Sequence, residues 1–188
     1  MTATDNRRRG EGLVFLVLFA LTIPAANWLI GHAGTACAPG GPCLIPVAPG
    51  VMAPSGVIMA GSALVLRDLL QRRLGLAASS LAILAGAGLS ALLAPPALVI
   101  ASLAAFLLSE FADLAVYTPL ARRRLIVAVA ASGAVGLVVD SIVFLWLAFG
   151  SLEFLPGQIV GKAWMVLLSL PLVAWLRRRD HRLGLVPA

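Results

Sequence analysis

Apolar residues run through this chain in blocks that are too long for the core of a small soluble domain. Six blocks, at 12–30, 50–70, 75–94, 96–119, 125–149 and 157–176, each approach the ~20 residues that an α-helix needs to cross a bilayer. Polar and turn-forming residues punctuate them. Between the first two lies H-A-G-T-A-C-A-P-G-G-P-C-L-I-P-V-A-P, whose glycines and prolines predict a loop. The third and fourth blocks meet at Ala94-Pro95-Pro96, which predicts a tight hairpin, and G-S-L-E-F-L-P joins the fifth and sixth. The start, M-T-A-T-D-N-R-R-R-G-E-G, resembles the head of a signal peptide. The apolar run from Leu13 to Ile30 is long enough to span, so it predicts a helix that is retained. The expected organisation is a cytoplasmic tail at 1–11, a six-helix transmembrane domain at 12–176 and a basic cytoplasmic tail at 177–188.

Composition agrees with an all-α, polytopic membrane protein. Hydrophobic residues make up 61% of the chain and charged residues 12%, about half the charged share of a soluble domain. The net charge of +6 does not point to nucleic acid, because basic membrane proteins carry their charge on cytoplasmic loops. All thirteen arginines fall at four places: Arg7 to Arg9; Arg67, Arg72 and Arg73; Arg122 to Arg124; and Arg177 to Arg179 with Arg182. Read as the N-terminus, the 2–3 turn, the 4–5 turn and the C-terminus, these clusters act as topology anchors. They place both termini in the cytoplasm.

Four charges then remain within the spans: Glu110, Asp113, Asp140 and Lys162. Facing lipid, four such groups would cost roughly 10 kcal/mol, so they must face the bundle interior or a wet cavity. Glu110 and Asp113 share a helical face, flanked one turn away by Phe106 and Tyr117. Lys162, the only lysine, follows Gln158 by four residues, and three acids with one base leave two negative charges unpaired. One resolution pairs Lys162 with Asp140, on the same half of the span; another protonates Glu110 or Asp113; a third has a ligand supply donors or positive charge. Ionised carboxylates are acceptors only. Two on one face, beside aromatic rings, suit a flat ligand rich in N–H donors, such as a guanine-like base. The same groups also suit a protonated amine or a proton relay, or a network that only fixes helix packing.

Other features carry less chemistry. Cys37 and Cys43 fall in the first loop outside the cytoplasm, where a disulfide, two free thiols and a metal pair with His32 are the alternatives. Ala82, Gly86 and Ser90, and again Ser132 and Gly136, have the four-residue spacing of close helix packing. Asn27-Trp28 reads as an interfacial anchor and Arg67-Asp68 as an ion pair at a helix end. Ala53-Pro54-Ser55-Gly56 reads as a Pro/Gly break at a helix start. No histidine is placed to activate Ser55, and the chain holds neither a Walker A nor an H-E-x-x-H pattern, so no enzyme, cofactor or metal site is expected.

Five blocks together resemble the VUT family: A-A-N-W (25–28), A-P-S-G-V-I-M-A-G-S-A-L-V-L-R-D (53–68), A-F-L-L-S-E-F-A-D-L-A-V-Y (105–117), V-D-S-I-V-F-L-W-L-A-F-G (139–150) and Q-I-V-G-K (158–162). Members are queuosine-precursor transporters, once thought to take up vitamins. The resemblance implies a six-helix fold similar to the substrate-binding subunits of energy-coupling-factor transporters, set in a bacterial inner membrane. It implies import of 7-cyano- or 7-aminomethyl-7-deazaguanine, with binding roles for Glu110, Asp113, Asp140 and Lys162. It extends such roles more weakly to Asn27, Arg67, Asp68 and Gln158. Around the second helix the longer members carry an acidic D-x-x-x-E-x-Y-G-like block. This chain has R-D-L-L-Q-R-R-L-G, which resembles the short branch. Oligomeric state and any energising partner stay open.

Overall fold

A computed structural model describes residues 3–37 and 41–185. Six helices form the body: α1 (Ala3–His32), α2 (Val57–Leu74), α3 (Leu76–Leu93), α4 (Val99–Ala121), α5 (Leu125–Phe149) and α6 (Leu155–Leu183). α1 and α6 run beyond the apolar blocks, so helix continues into both basic segments at the ends of the chain. The hairpin at Ala94-Pro95-Pro96 is a short 3-10 turn over Pro96–Leu98.

The first loop is more ordered than its composition predicted. It holds β1 (Ala36–Cys37), β2 (Cys43–Ala48) and β3 (Val51–Pro54), an antiparallel sheet in the order β1-β2-β3. Cys37 and Cys43 pair across β1 and β2 and are joined by a disulfide, which resolves the three alternatives for these residues. β2 turns into β3 at Pro49-Gly50, where Gly50 has φ 71°. That backbone conformation costs glycine little, and proline before it is the usual partner in a tight turn. The sheet closes one end of the bundle. Trp164 Nε1 on α6 donates to the Val47 carbonyl at 3.1 Å, and Ser55 Oγ donates to the Leu29 carbonyl of α1 at 2.6 Å.

Two expectations are corrected here. The second helix starts at Val57, not at residue 50, because 51–54 pair as a strand. Arg67, Arg72 and Arg73 do not occupy a turn: only Gly75 separates α2 from α3, and all three arginines are buried on α2. Topology anchors offer their charge to water or headgroups, whereas these three are paired with acids of the protein: Asp68, Glu110, Asp113, Asp180 and Glu11.

The reason lies in the place of α2. It touches each of the other five helices, and twelve of its eighteen residues are buried. A helix wrapped in protein need not be apolar, so α2 carries Arg67, Asp68, Arg72 and Arg73 while the outer helices meet lipid. Those five outer helices, α1 and α3 to α6, are each long and apolar enough to span. Their outward faces carry large apolar side chains, among them Leu92 (83% exposed) and Ile100 (76%). So much exposed apolar surface marks a multi-pass membrane protein.

Lipid offers no hydrophobic drive between helices, so close backbone contact matters. Gly86 of the α3 small-residue face lies against Ile23 and Phe106, and Gly136 of the α5 face lies against Leu64 and Asp113. At Gly61 helix backbone meets helix backbone: an added Cβ would come within 2.9 Å of Lys162 Cα and 3.0 Å of its carbonyl oxygen. Both obstacles are backbone, so neither can swing aside. Gly61→Val is expected to push α2 from α6 and to destabilise the protein by about 1–3 kcal/mol. A thermal unfolding curve in detergent indistinguishable from that of the parent protein would show that the contact can relax.

Candidate functional site

A cavity of about 110 Å³ opens at the sheet end of the bundle. All six helices contribute to it, through the last turns of α1, α3 and α5 and the first turns of α2, α4 and α6, with Pro54 and Gly56 from the end of the sheet. Most of the wall is apolar, with Phe106 of α4 and Phe144 of α5 as its aromatic rings. The strongly polar side chains on it are Asn27, Asp140 and Gln158, with hydroxyls from Thr22, Ser90 and Ser102.

Each of the three polar groups is held differently. Asn27 Nδ2 donates to the Ile23 carbonyl one turn back at 2.9 Å. Asp140 Oδ2 receives Lys162 Nζ at 2.5 Å, which is the pairing expected from their shared half of the span. Lys162 is buried and also reaches Ser141 Oγ at 2.9 Å, so the pair is tied to both α5 and α6. Ser109 Oγ of α4 lies 3.5 Å from the other Asp140 oxygen. Gln158 is 3% exposed, yet its Oε1 accepts no hydrogen bond among the described residues. An acceptor left unsatisfied in a dry wall costs about 1–3 kcal/mol, which a donor from a ligand would recover.

Beneath the cavity lies a second cluster, centred on Arg67. Its Nε donates to Glu110 Oε2 at 3.2 Å, its Nη2 donates to Asp113 Oδ1, and its Nη2 also lies 2.9 Å from Asp68 Oδ1. Arg67 Nη1 donates to Gln71 Oε1 at 3.1 Å. The guanidinium stands 5.6 Å from the centre of the Tyr117 ring, a cation–π distance. Asp68 in turn accepts from Ser132 Oγ at 3.0 Å. One guanidinium thus faces three carboxyl groups drawn from two helices, and all four residues are at most 2% exposed. An Arg fork suits this role because its planar donors reach several carboxylates at fixed angles.

The residues proposed from sequence therefore divide into two groups. Asn27, Phe106, Asp140 and Gln158 line the cavity. Arg67, Asp68, Glu110, Asp113 and Tyr117 form the layer below it, and Lys162 stands behind Asp140. Arg67 and Asp68, both inside the block at 50–70, join the four interior charges expected from sequence, and Arg67 balances acids that otherwise have no partner.

A third cluster, at the opposite end, had no counterpart in the sequence reading. Asp180 of α6 accepts from Arg72 and Arg73 of α2 at 2.8–3.0 Å. Glu11 of α1 lies 2.9 Å from Arg73 Nε and accepts from Arg179 at 2.5 Å. Glu11 and Asp180 sit among arginines in sequence, and only the fold shows that they bind α1, α2 and α6 together.

The family model described as "Putative vitamin uptake transporter" matches residues 91–176, which hold Glu110, Asp113, Asp140, Gln158 and Lys162. No curated protein and no solved structure matches the chain.

Proposed function

We propose that the chain, whose residues 91–176 match the family model of putative vitamin uptake transporters, is a transporter of that kind and imports a 7-deazaguanine. The substrate would be the 7-cyano or 7-aminomethyl queuosine precursor, or a related deazapurine. The observation that carries this reading is the sheet-end cavity. It sets two acceptors, Asp140 and the unsatisfied Gln158 Oε1, beside the rings of Phe106 and Phe144. Adjacent N–H donors on a flat heterocycle match those acceptors, and the rings match its faces. The cavity falls below the 300–1,000 Å³ of drug-sized sites, which favours one small ring system.

Orientation follows from charge. Arg122 to Arg124, Arg178 and Arg182 are exposed at the end away from the sheet, so that end faces the cytoplasm. Both termini are then cytoplasmic, and the cavity with its disulfide faces the oxidising exterior of a bacterial inner membrane. This is the arrangement an importer needs.

The Arg67 layer is the barrier. Below it, Gln71 Nε2 donates to Thr118 Oγ1 at 3.0 Å, and both residues line a separate cavity of about 140 Å³ toward the arginine end. A polar string of Glu110, Arg67, Gln71 and Thr118 thus lies between the two cavities. Import requires these contacts to part and re-form, and Glu110 and Asp113 take part by holding Arg67 rather than by direct contact with substrate in this state. The likeness to energy-coupling-factor substrate-binding subunits belongs to the same proposal.

Thermal shift with 7-cyano-7-deazaguanine tests the reading. A ligand at a hundredfold excess over its dissociation constant stabilises by about 2.7 kcal/mol, and adenine at the same concentration should do far less. Cells lacking their own precursor synthesis should regain queuosine in tRNA when they express the protein and receive the precursor. Absence of both effects, from protein that is folded in the membrane, would favour a structural role for the buried ion pairs.

A further inference from the structure

The cytoplasm-directed end carries a second built cavity, of about 200 Å³, enclosed by the end of α2, the α4–α5 turn and the last turns of α6. Its wall holds Arg72, Arg122, Arg123 and Arg177 against a single acid, Asp180. That acid is already committed: Arg72 and Arg73 together make four hydrogen bonds to its two oxygens. Arg122, Arg123 and Arg177 have no carboxylate within ion-pair distance among the described residues. The cavity is therefore surrounded by uncompensated positive charge.

The backbone adds to it. α5 starts at Leu125, which lines the same cavity. No side chain caps this helix and no acid lies in its first turn, so its open N–H groups and positive dipole end are free for an anion. A topology anchor needs only exposed charge. It does not need three arginines from two separate segments converging with a helix start on one concave site.

We propose that this cavity binds a phosphate group, with Arg122, Arg123 and Arg177 as its ligands. Arginine forks and a helix N-terminus are the natural partners of a phosphoryl group. The two sources at this depth are the headgroup of an anionic phospholipid in the inner leaflet and a free phosphate of the cytoplasm. Basic pockets between helices on the cytoplasmic side suit the first. The site lies away from the sheet-end cavity and does not depend on what is imported.

The test is native mass spectrometry and thermal unfolding of the full-length purified protein with three probes. These are phosphatidylglycerol, phosphatidylcholine and inorganic phosphate. Phosphatidylglycerol bound beyond phosphatidylcholine identifies a lipid headgroup, and a shift with inorganic phosphate alone identifies a free anion. In either case R122Q/R123Q and Arg177→Gln should weaken binding by roughly fivefold per arginine removed. The control is R178Q/R182Q, which removes as much charge from the same end but does not alter the cavity lining. It should leave binding intact. Equal loss in the control and the cavity variant would overturn the proposal in favour of diffuse attraction to the surface. No binding of either phosphate probe by the parent protein would overturn it outright.

Discussion

Arg67→Met should leave little folded protein in the membrane. The side chain is fully buried and touches Asp68, Glu110, Asp113, Gln71 and Tyr117. Methionine fills much of the same volume, so lost packing is the smaller effect. The larger one is electrostatic: three carboxyl groups on α2 and α4 would keep their places with no cation near them. Breaking a buried pair by removing one partner costs about 3–5 kcal/mol, and here one cation serves three acids. The remedy distinguishes charge from shape. R67M/E110Q/D113N removes the arginine together with two of its acids and should recover a large part of the lost thermal stability, because an amide can remain buried at much lower cost than an unpaired charge. Import should not return in the triple variant, since the layer that separates the two cavities would be gone. A single Arg67→Met variant that melts with the parent protein would show that the acids find other partners and that the layer is not built around Arg67.

The same residue marks where sequence stops being a sufficient guide. Spanning helices are legible because lipid imposes a length and a composition on them, and α1 and α3 to α6 were visible on those grounds. α2 obeys a different rule. Enclosed by five neighbours, it can carry four charges within its last eight residues, and a reading based on lipid exposure moves those charges to a turn. The clue was a balance rather than a pattern: three interior acids and one interior base called for another base, and Arg67 lay inside the block at 50–70. The start of α2 was misplaced for a related reason. Val51 to Pro54 is as apolar as a helix, and apolarity alone does not distinguish a short strand from the first turns of a span. Pro49-Gly50 was the better signal, since it forms the turn that sends β2 back as β3. The pair of Lys162 with Asp140 was legible because both are rare charges at one depth. The division of the candidate residues between cavity wall and buried layer was not, because one helical stripe on α4 runs through both. Phe106 faces the cavity while Glu110 and Asp113, one and two turns further on, face Arg67.

Asp140→Asn should reduce uptake of labelled precursor by roughly 10- to 100-fold, the range for losing a hydrogen bond to a charged acceptor, while the protein stays in the membrane. Asparagine keeps the shape of the wall, and its carbonyl can still accept from Lys162. What is lost is the charge offered to the donor edge of the substrate. The difficulty is that Asp140 has two duties, as cavity wall and as the partner of a buried lysine at 2.5 Å. A loss of uptake in Asp140→Asn alone, or in Lys162→Met alone, could come from either. The double variant D140N/K162M separates them. It leaves no unpaired charge between α5 and α6, so the thermal stability should lie closer to the parent than that of Lys162→Met, which strands a carboxylate. Uptake should stay as low as in Asp140→Asn, because the acceptor for the substrate is still missing. If uptake instead recovers with stability, Asp140 serves only to hold Lys162 in the bundle. The donor edge of the substrate must then be read by Gln158 and Asn27, the two amide side chains on the cavity wall, at the start of α6 and the end of α1.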